Sequence, residues 1–150
     1  MKAAFIRDYG APVEVGERPK PNVLPDSVLI EVHASSVNPV DSIIRSGYLK
    51  EVMPIEFPYV MGNDLSGVIV ELGKEARNFK VGDEVFVRPN PKQAETLAEF
   101  CMVKEADLAL KPRTISHREA ATIPLVGLLV LARVLVLRLP PSRGVSRGVG

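Results

Sequence analysis

Ser36-Val37-Asn38-Pro39-Val40-Asp41 and Met61-Gly62-Asn63-Asp64-Leu65-Ser66-Gly67 close the two ends of the stretch, residues 35 to 67, whose reading decides the fold. The first phrase follows an alternating apolar run and carries Asn38, Pro39 and Asp41. It reads as a strand that runs out into a polar, sharply turned segment. In the second phrase Gly62 and Gly67 bracket Asn63 and Asp64 at the entrance to another strand, where backbone freedom is needed. Asn38 and Asn63 stand 25 residues apart, a spacing that suits two loops meeting at one rim of a small barrel.

Outward from this stretch the chain reads as short strands separated by turn residues. Lys2 to Arg7 and Val13 to Arg18, joined through Tyr9-Gly10-Ala11-Pro12, predict an antiparallel hairpin. Pro19, Pro21 and Pro25 make an extended connector that cannot sit inside a sheet ladder. Ser27 to Val37 is the strongest strand, with Val28, Ile30, Val32 and Ala34 on one face and Leu29, Glu31 and His33 on the other. Val40 to Arg45 predicts one or two helical turns with Pro39 near the first position, stopped by Gly47. Strands follow over Ser66 to Leu72, through the Gly82-Asp83 corner to Val87, over Leu97 to Val103 and over Asp107 to Lys111. About seven strands at short spacing predict a mainly β fold with short helices, a small, partly open barrel, rather than an alternating α/β layout.

Beyond Pro112 the pattern changes. Ser116-His117-Arg118-Glu119 is a capping box, in which Ser116 accepts from the Glu119 backbone and Glu119 reaches back, so a helix is predicted from His117 through Ile123.

A chain of 150 residues with 46% hydrophobic content is one domain's worth. The net charge of +1 points to neither nucleic acid nor membrane. Residues 1 to 119 hold 15 Lys/Arg and 18 Asp/Glu, whereas residues 120 to 150 hold four Arg and no acid. The apolar run from Ala120 to Leu139 is interrupted by Arg133 and Arg138, which are costly in lipid. Those arginines, without lysine or aromatic interleaving, make no nucleic-acid patch. One cysteine excludes an internal disulfide and fits a reducing, cytoplasmic setting. The N-terminal residues lack the apolar core of a secretory signal.

The phrases Ser-Val-Asn-Pro-Val-Asp (36–41), Arg45-Ser46-Gly47-Tyr48, and Gly62-Asn63-Asp64 through Ser66-Gly67-Val68-Ile69 resemble the N-terminal GroES-like domain of the medium-chain dehydrogenase/reductase superfamily. The likeness is to its zinc-independent, quinone oxidoreductase-like branch. Val81-Gly82-Asp83, Ala98-Glu99-Phe100 and the run from Ser116 to Gly127 resemble the same family. In its zinc enzymes a Cys stands at the position of Asn38 and a Gly-His-Glu where Gly62-Asn63-Asp64 stands, so the resemblance implies no zinc site here. The ligand count agrees, since one Cys at 101 and two His at 33 and 117 show no ligand-like spacing.

The resemblance implies an organisation of residues 1–115 as the GroES-like, substrate-side domain and 116–127 as a connector helix toward a dinucleotide-binding (Rossmann) domain that this chain lacks. Residues 128–150 are then an aberrant or disordered tail. Past Gly127 the family's Leu-Thr-Ala is replaced by Leu-Leu-Val-Leu-Ala-Arg, and the acids disappear. This suggests a truncated, frame-shifted or wrongly joined C-terminus, which an in-frame genomic continuation matching Leu128 onward would contradict. Gly144, Gly148 and Gly150 echo the branch's glycine-rich phosphate turn, but Arg147 occupies a glycine slot and no helix follows, as such a turn requires.

The activity implied is direct hydride transfer from NADPH to a quinone or enone, the cofactor doing the hard chemistry. No bound cofactor is expected on this chain by itself. Catalytic candidates are Asn38, lining the cleft beside the nicotinamide, and Tyr48, because a phenol is a hydrogen-bond or proton donor at neutral pH. Asn38 is equally read as a turn residue capping its own backbone. Asp41, Arg45, Asn63 and Asp64 are candidates for the cleft lining; Asp41 and Arg45, four apart, are expected to pair on one helical face. Cys101 reads as a small buried hydrophobe. The alternative function is a small β-barrel interaction module that self-associates into a homo-oligomer through exposed apolar surface.

Overall fold

The computed structural model describes residues 1–90 and 95–138. Among the described residues eight strands form two antiparallel sheets, and neither closes on itself. The smaller sheet has the order β2-β1-β4, built from β1 (Lys2–Ile6), β2 (Glu14–Glu17) and β4 (Tyr59–Val60). The larger has the order β7-β3-β5-β6-β8, built from β3 (Ser27–Ser36), β5 (Asp64–Leu72), β6 (Glu84–Val87), β7 (Phe100–Lys104) and β8 (Ala109–Leu110). The expected mainly β class and the N-terminal hairpin are therefore present, the hairpin pairing Lys2 with Glu17 through to Phe5 with Glu14.

Residues 95–99 tie the two sheets together. The Ala4 N–H donates to the Leu97 carbonyl at 2.8 Å, the Leu97 N–H to Met61 at 2.9 Å, and the Val32 N–H to Glu99 at 2.9 Å. The main core lies on the larger sheet, where Val28, Ile30, Leu65, Ile69, Val85, Val87, Cys101 and Val103 are buried together. Glu31 and His33 are exposed, whereas Leu29, placed on the same face by the alternation, is buried, with a register irregularity in β3 between Leu29 and Ile30. A second cluster joins Ile6, Tyr59 and Met61 of the smaller sheet to Ile44 of helix α1 (Pro39–Arg45), and this contact fixes the helix against the sheet.

The centre of the larger sheet depends on Gly67. A Cβ there would collide with the Glu31 carbonyl oxygen across the β3–β5 pair. Gly47, at φ +77, lies in the turn that follows α1, in a backbone conformation that excludes most side chains.

The C-terminal helical region differs from the expected single helix over His117–Ile123. Helix α2 covers only His117–Ala120, and α3 (Pro124–Arg138) begins afresh. Proline explains the break: it disfavours helical backbone at Ile123 and is preorganised for the first helical position itself. The helix then crosses Gly127, where the resemblance breaks off. Over residues 128–138 the helix continues, and residues 139–150 of the expected tail lie outside the described residues. Apolar side chains point outward on several faces of α3: Val126, Leu128, Leu129, Leu131 and Leu135 are all exposed. No helix among the described residues is long and apolar enough to cross a membrane.

Candidate functional site

The two phrases that open and close residues 35 to 67 meet in space. Asn38 precedes α1 in extended conformation, at φ −115 and ψ 155. Its backbone N–H donates to Asp41 Oδ2 at 2.6 Å, the return half of a capping box at the helix start. From the other phrase, Asn63 Nδ2 donates to Asp41 Oδ1 at 2.7 Å. Asp64 Oδ2 accepts from Asn38 Nδ2 at 2.9 Å and from Ser36 Oγ at 3.2 Å. The main chain is held as well, because Ser35 Oγ donates to the Asp64 carbonyl at 2.7 Å and lies 2.9 Å from Thr96 Oγ1. Two amides and two carboxylates are thus interlocked, each carboxylate oxygen facing a donor.

All four side chains are buried, Asp64 completely. Burial pushes the Asp64 carboxyl above its ordinary range. Hydrogen bonds from Asn38, Ser36 and the Leu125 backbone oppose that shift, as does the charge of Arg88. Burial and the charges of Asp41 and Glu95 push the nearby Tyr59 phenol up to about 12. Among the described residues Asn63 Oδ1 has no hydrogen-bond partner.

Arg45 and Tyr48 stand apart from this network. Arg45 does not pair with Asp41, as helical spacing suggested. Arg45 Nη1 donates to the Ala11 carbonyl at 2.7 Å, while the Asp41 oxygens are already taken by Asn38 and Asn63. Tyr48 follows α1 and is 83% exposed. Gly144, Gly148 and Gly150 lie outside the described residues.

A second polar cluster, not anticipated from the sequence, anchors α2. His117 Nδ1 lies 2.8 Å from Ser66 Oγ, and Nε2 lies 3.3 Å from Glu84 Oε1. Glu84 also pairs with Lys111 at 3.2 Å, and Lys111 Nζ donates to the Ile115 carbonyl at 2.7 Å. The rings of His33 and His117 sit 4.6 Å apart. Burial, reinforced by His33, lowers the pKa of His117. The only local signal for this cluster is the position of His117 just inside the capping box; its partners come from β3, β5 and β6.

The donor set does not resemble that of a metal centre. Asn38 and Asn63 present amides, and the carboxylates are engaged by protein donors, whereas a protein zinc site draws on Cys, His and carboxylate. Among the described residues no group of three or more His, Cys, Asp or Glu side chains is disposed to hold a metal ion. For a dinucleotide the described residues lack a cradle too: every strand pair is antiparallel, with no glycine turn leading from a parallel strand into a helix.

Two open antiparallel sheets, a polar knot between the β3–α1 and β4–β5 loops, and a helical exit define a GroES-like β domain of the alcohol dehydrogenase superfamily. The chain belongs to the alcohol dehydrogenase GroES-like domain family, which matches residues 24–127. It is 40% identical over 116 residues to the mitochondrial NAD(P)H oxidoreductase RTN4IP1 of Bos taurus, covering 69% of this chain and 29% of that protein. It is also 40% identical over 135 residues to the chloroplastic NADPH-dependent alkenal/one oxidoreductase of Arabidopsis thaliana, covering 83% of this chain and 34% of that one. Among solved structures, the quinone oxidoreductase from Coxiella burnetii superposes with a TM-score of 0.81 at 30% identity, over 91% of this chain and 44% of its own. The chain therefore spans about a third of the length of these curated relatives.

Proposed function

We propose that this chain is the substrate-side domain of an NADPH-dependent, zinc-independent reductase of quinones or enones, inactive without a nucleotide-binding partner domain. The observation that carries the reading is the closed network of Asn38, Asp41, Asn63 and Asp64, where zinc-using relatives would place metal ligands. NADPH would supply the hydride. The protein's part is to present Asn38 beside the nicotinamide and substrate, with Asp41, Asn63 and Asp64 fixing its position from behind. Exposed Tyr48 is the candidate donor to the substrate oxygen, and Arg45 secures the loop through Ala11. The lone Cys101 is compatible with the cytosol.

Titration of the 150-residue chain with NADPH, followed by nicotinamide fluorescence, tests this directly. No saturable binding is expected in the micromolar range, with reductase activity appearing only when a cofactor domain is supplied. Micromolar binding or turnover by the chain alone would overturn the reading, as would stoichiometric zinc in the purified protein.

The exposed apolar side chains of α3 favour a second reading, a β module that self-associates. A helix that is apolar on several faces belongs in a core or an interface. Size-exclusion chromatography decides this one: an oligomer that Leu128→Glu with Leu135→Glu converts to monomer supports it, and a monomeric parent refutes it.

A further inference from the structure

We propose that Asp64 is a positioning residue that couples helix α3 to the orientation of Asn38. Its functional meaning rests on the reading of Asn38 as the cleft residue; the coupling itself does not. The two oxygens of this one carboxylate serve different masters. Oδ1 accepts the Leu125 N–H at 3.1 Å. That donor lies in the first turn of α3, where backbone N–H groups have no partner within the helix. Oδ2 accepts from Asn38 Nδ2 at 2.9 Å and from Ser36 Oγ at 3.2 Å. Asp64 is completely buried, so water cannot replace a donor that moves away.

The geometry also fixes which end of the Asn38 amide is offered to a ligand. Its nitrogen donates to Asp64 Oδ2 and lies 3.3 Å from Ser36 Oγ. The nitrogen therefore faces Asp64, and the Asn38 side-chain oxygen faces the first turn of α1, where the capping box sets it toward the Asp41 backbone N–H. The amide nitrogen is thereby committed to Asp64, and only the remaining acceptor capacity of the oxygen is left for an N–H or O–H of a ligand.

Helix α3 is the segment by which the described chain leaves the β domain. A displacement that draws Leu125 from Oδ1 turns the carboxylate, and Oδ2 carries the Asn38 amide with it. Such coupling between two contacts is reciprocal.

The test uses the isotopically labelled 150-residue chain without nucleotide, reading the Asn38 side-chain NH2 and the Leu125 backbone amide by NMR. Asn38→Ala is expected to change the exchange rate of the Leu125 amide by about fivefold or more. Leu125→Pro, which removes an N–H the helix does not use together with the leucine side chain, is expected to shift the Asn38 NH2 resonances and change their exchange to a similar extent. Asp64→Asn, with one acceptor oxygen in place of two, should perturb both signals together. The proposal is overturned if Asn38→Ala leaves Leu125 unchanged, or if Leu125→Pro leaves the Asn38 NH2 unchanged in a folded protein. Should Leu125→Pro fail to fold, the Asn38→Ala arm decides alone. Because no cofactor is present, a negative NADPH titration bears on the proposed function and leaves this result untouched.

Discussion

Asn38 Nδ2 and Asp64 Oδ2 lie 2.9 Å apart, joining two loops that the sequence separates by 26 positions. Removing the acceptor strands three buried or partly buried donors, on Asn38, Ser36 and Leu125. Asp64→Ala is expected to cost about 3 kcal/mol of unfolding free energy, and Asp64→Asn appreciably less because it keeps the shape and one acceptor. Urea denaturation monitored by circular dichroism measures both. An Asp64→Ala protein as stable as the parent would show that the network contributes nothing to the fold.

Two glycines should respond very differently to the same substitution. Alanine at Gly67 would drive its Cβ into the Glu31 carbonyl, a backbone atom that cannot move aside without breaking the β3–β5 ladder. A loss of more than about 3 kcal/mol, or failure to fold, is expected. At Gly82 the added methyl meets open space, and only the φ of +93 opposes it, so Gly82→Ala should cost about 1–2 kcal/mol. Equal losses at the two positions would contradict this assignment.

Acid should loosen the α2 anchor. Burial holds the pKa of folded His117 below its free value of 6.5, so between those two values the unfolded chain binds more protons than the folded one. The associated stability is complete above 6.5 and is lost as the pH falls through that window toward the folded value. Glu84 acts in the same sense at lower pH. Its hydrogen bond from Lys111 lowers its pKa below 4.5, so its contribution disappears as the pH falls from 4.5 through the folded value. The melting temperature is expected to fall between about pH 7 and about pH 5. His117→Gln should flatten the upper part of that decline, and an unaltered slope in the variant would place its origin elsewhere.

Cys101 is buried, and desolvation pushes its thiol up to about 12. The thiolate is the reactive form. A disulfide exchange reagent such as Ellman's should therefore leave the native protein unlabelled and react fully in denaturant. Rapid stoichiometric labelling under native conditions would place Cys101 on an accessible surface.

Local signals in the sequence were strong enough to locate much of this fold. The alternation in Ser27 to Val37, the turn around Gly10 and the box at Ser116 each depend on neighbours a few residues away, and each appears where the pattern puts it. Partner choice was less legible. Helical spacing favours Asp41 with Arg45, but Asp41 is buried beside Asn63, brought in from the β4–β5 loop, and a buried carboxylate takes the nearest donors. His117 meets His33 across 84 positions, a contact that no periodicity encodes. The regular backbone of α3 was hidden for a different reason. Its leucines and valines show no polar face, so nothing in the pattern marked which side should be covered.

Strand β5 carries Asp64 and Ser66 two positions apart, the first bound to α3 and the second to α2. In a strand that spacing puts both side chains on one face, and a slip of one residue against β3 would turn both away at once. The connector can therefore dock only on a correctly aligned central sheet. A one-residue misalignment would leave this helical exit without both of the contacts that β5 offers it.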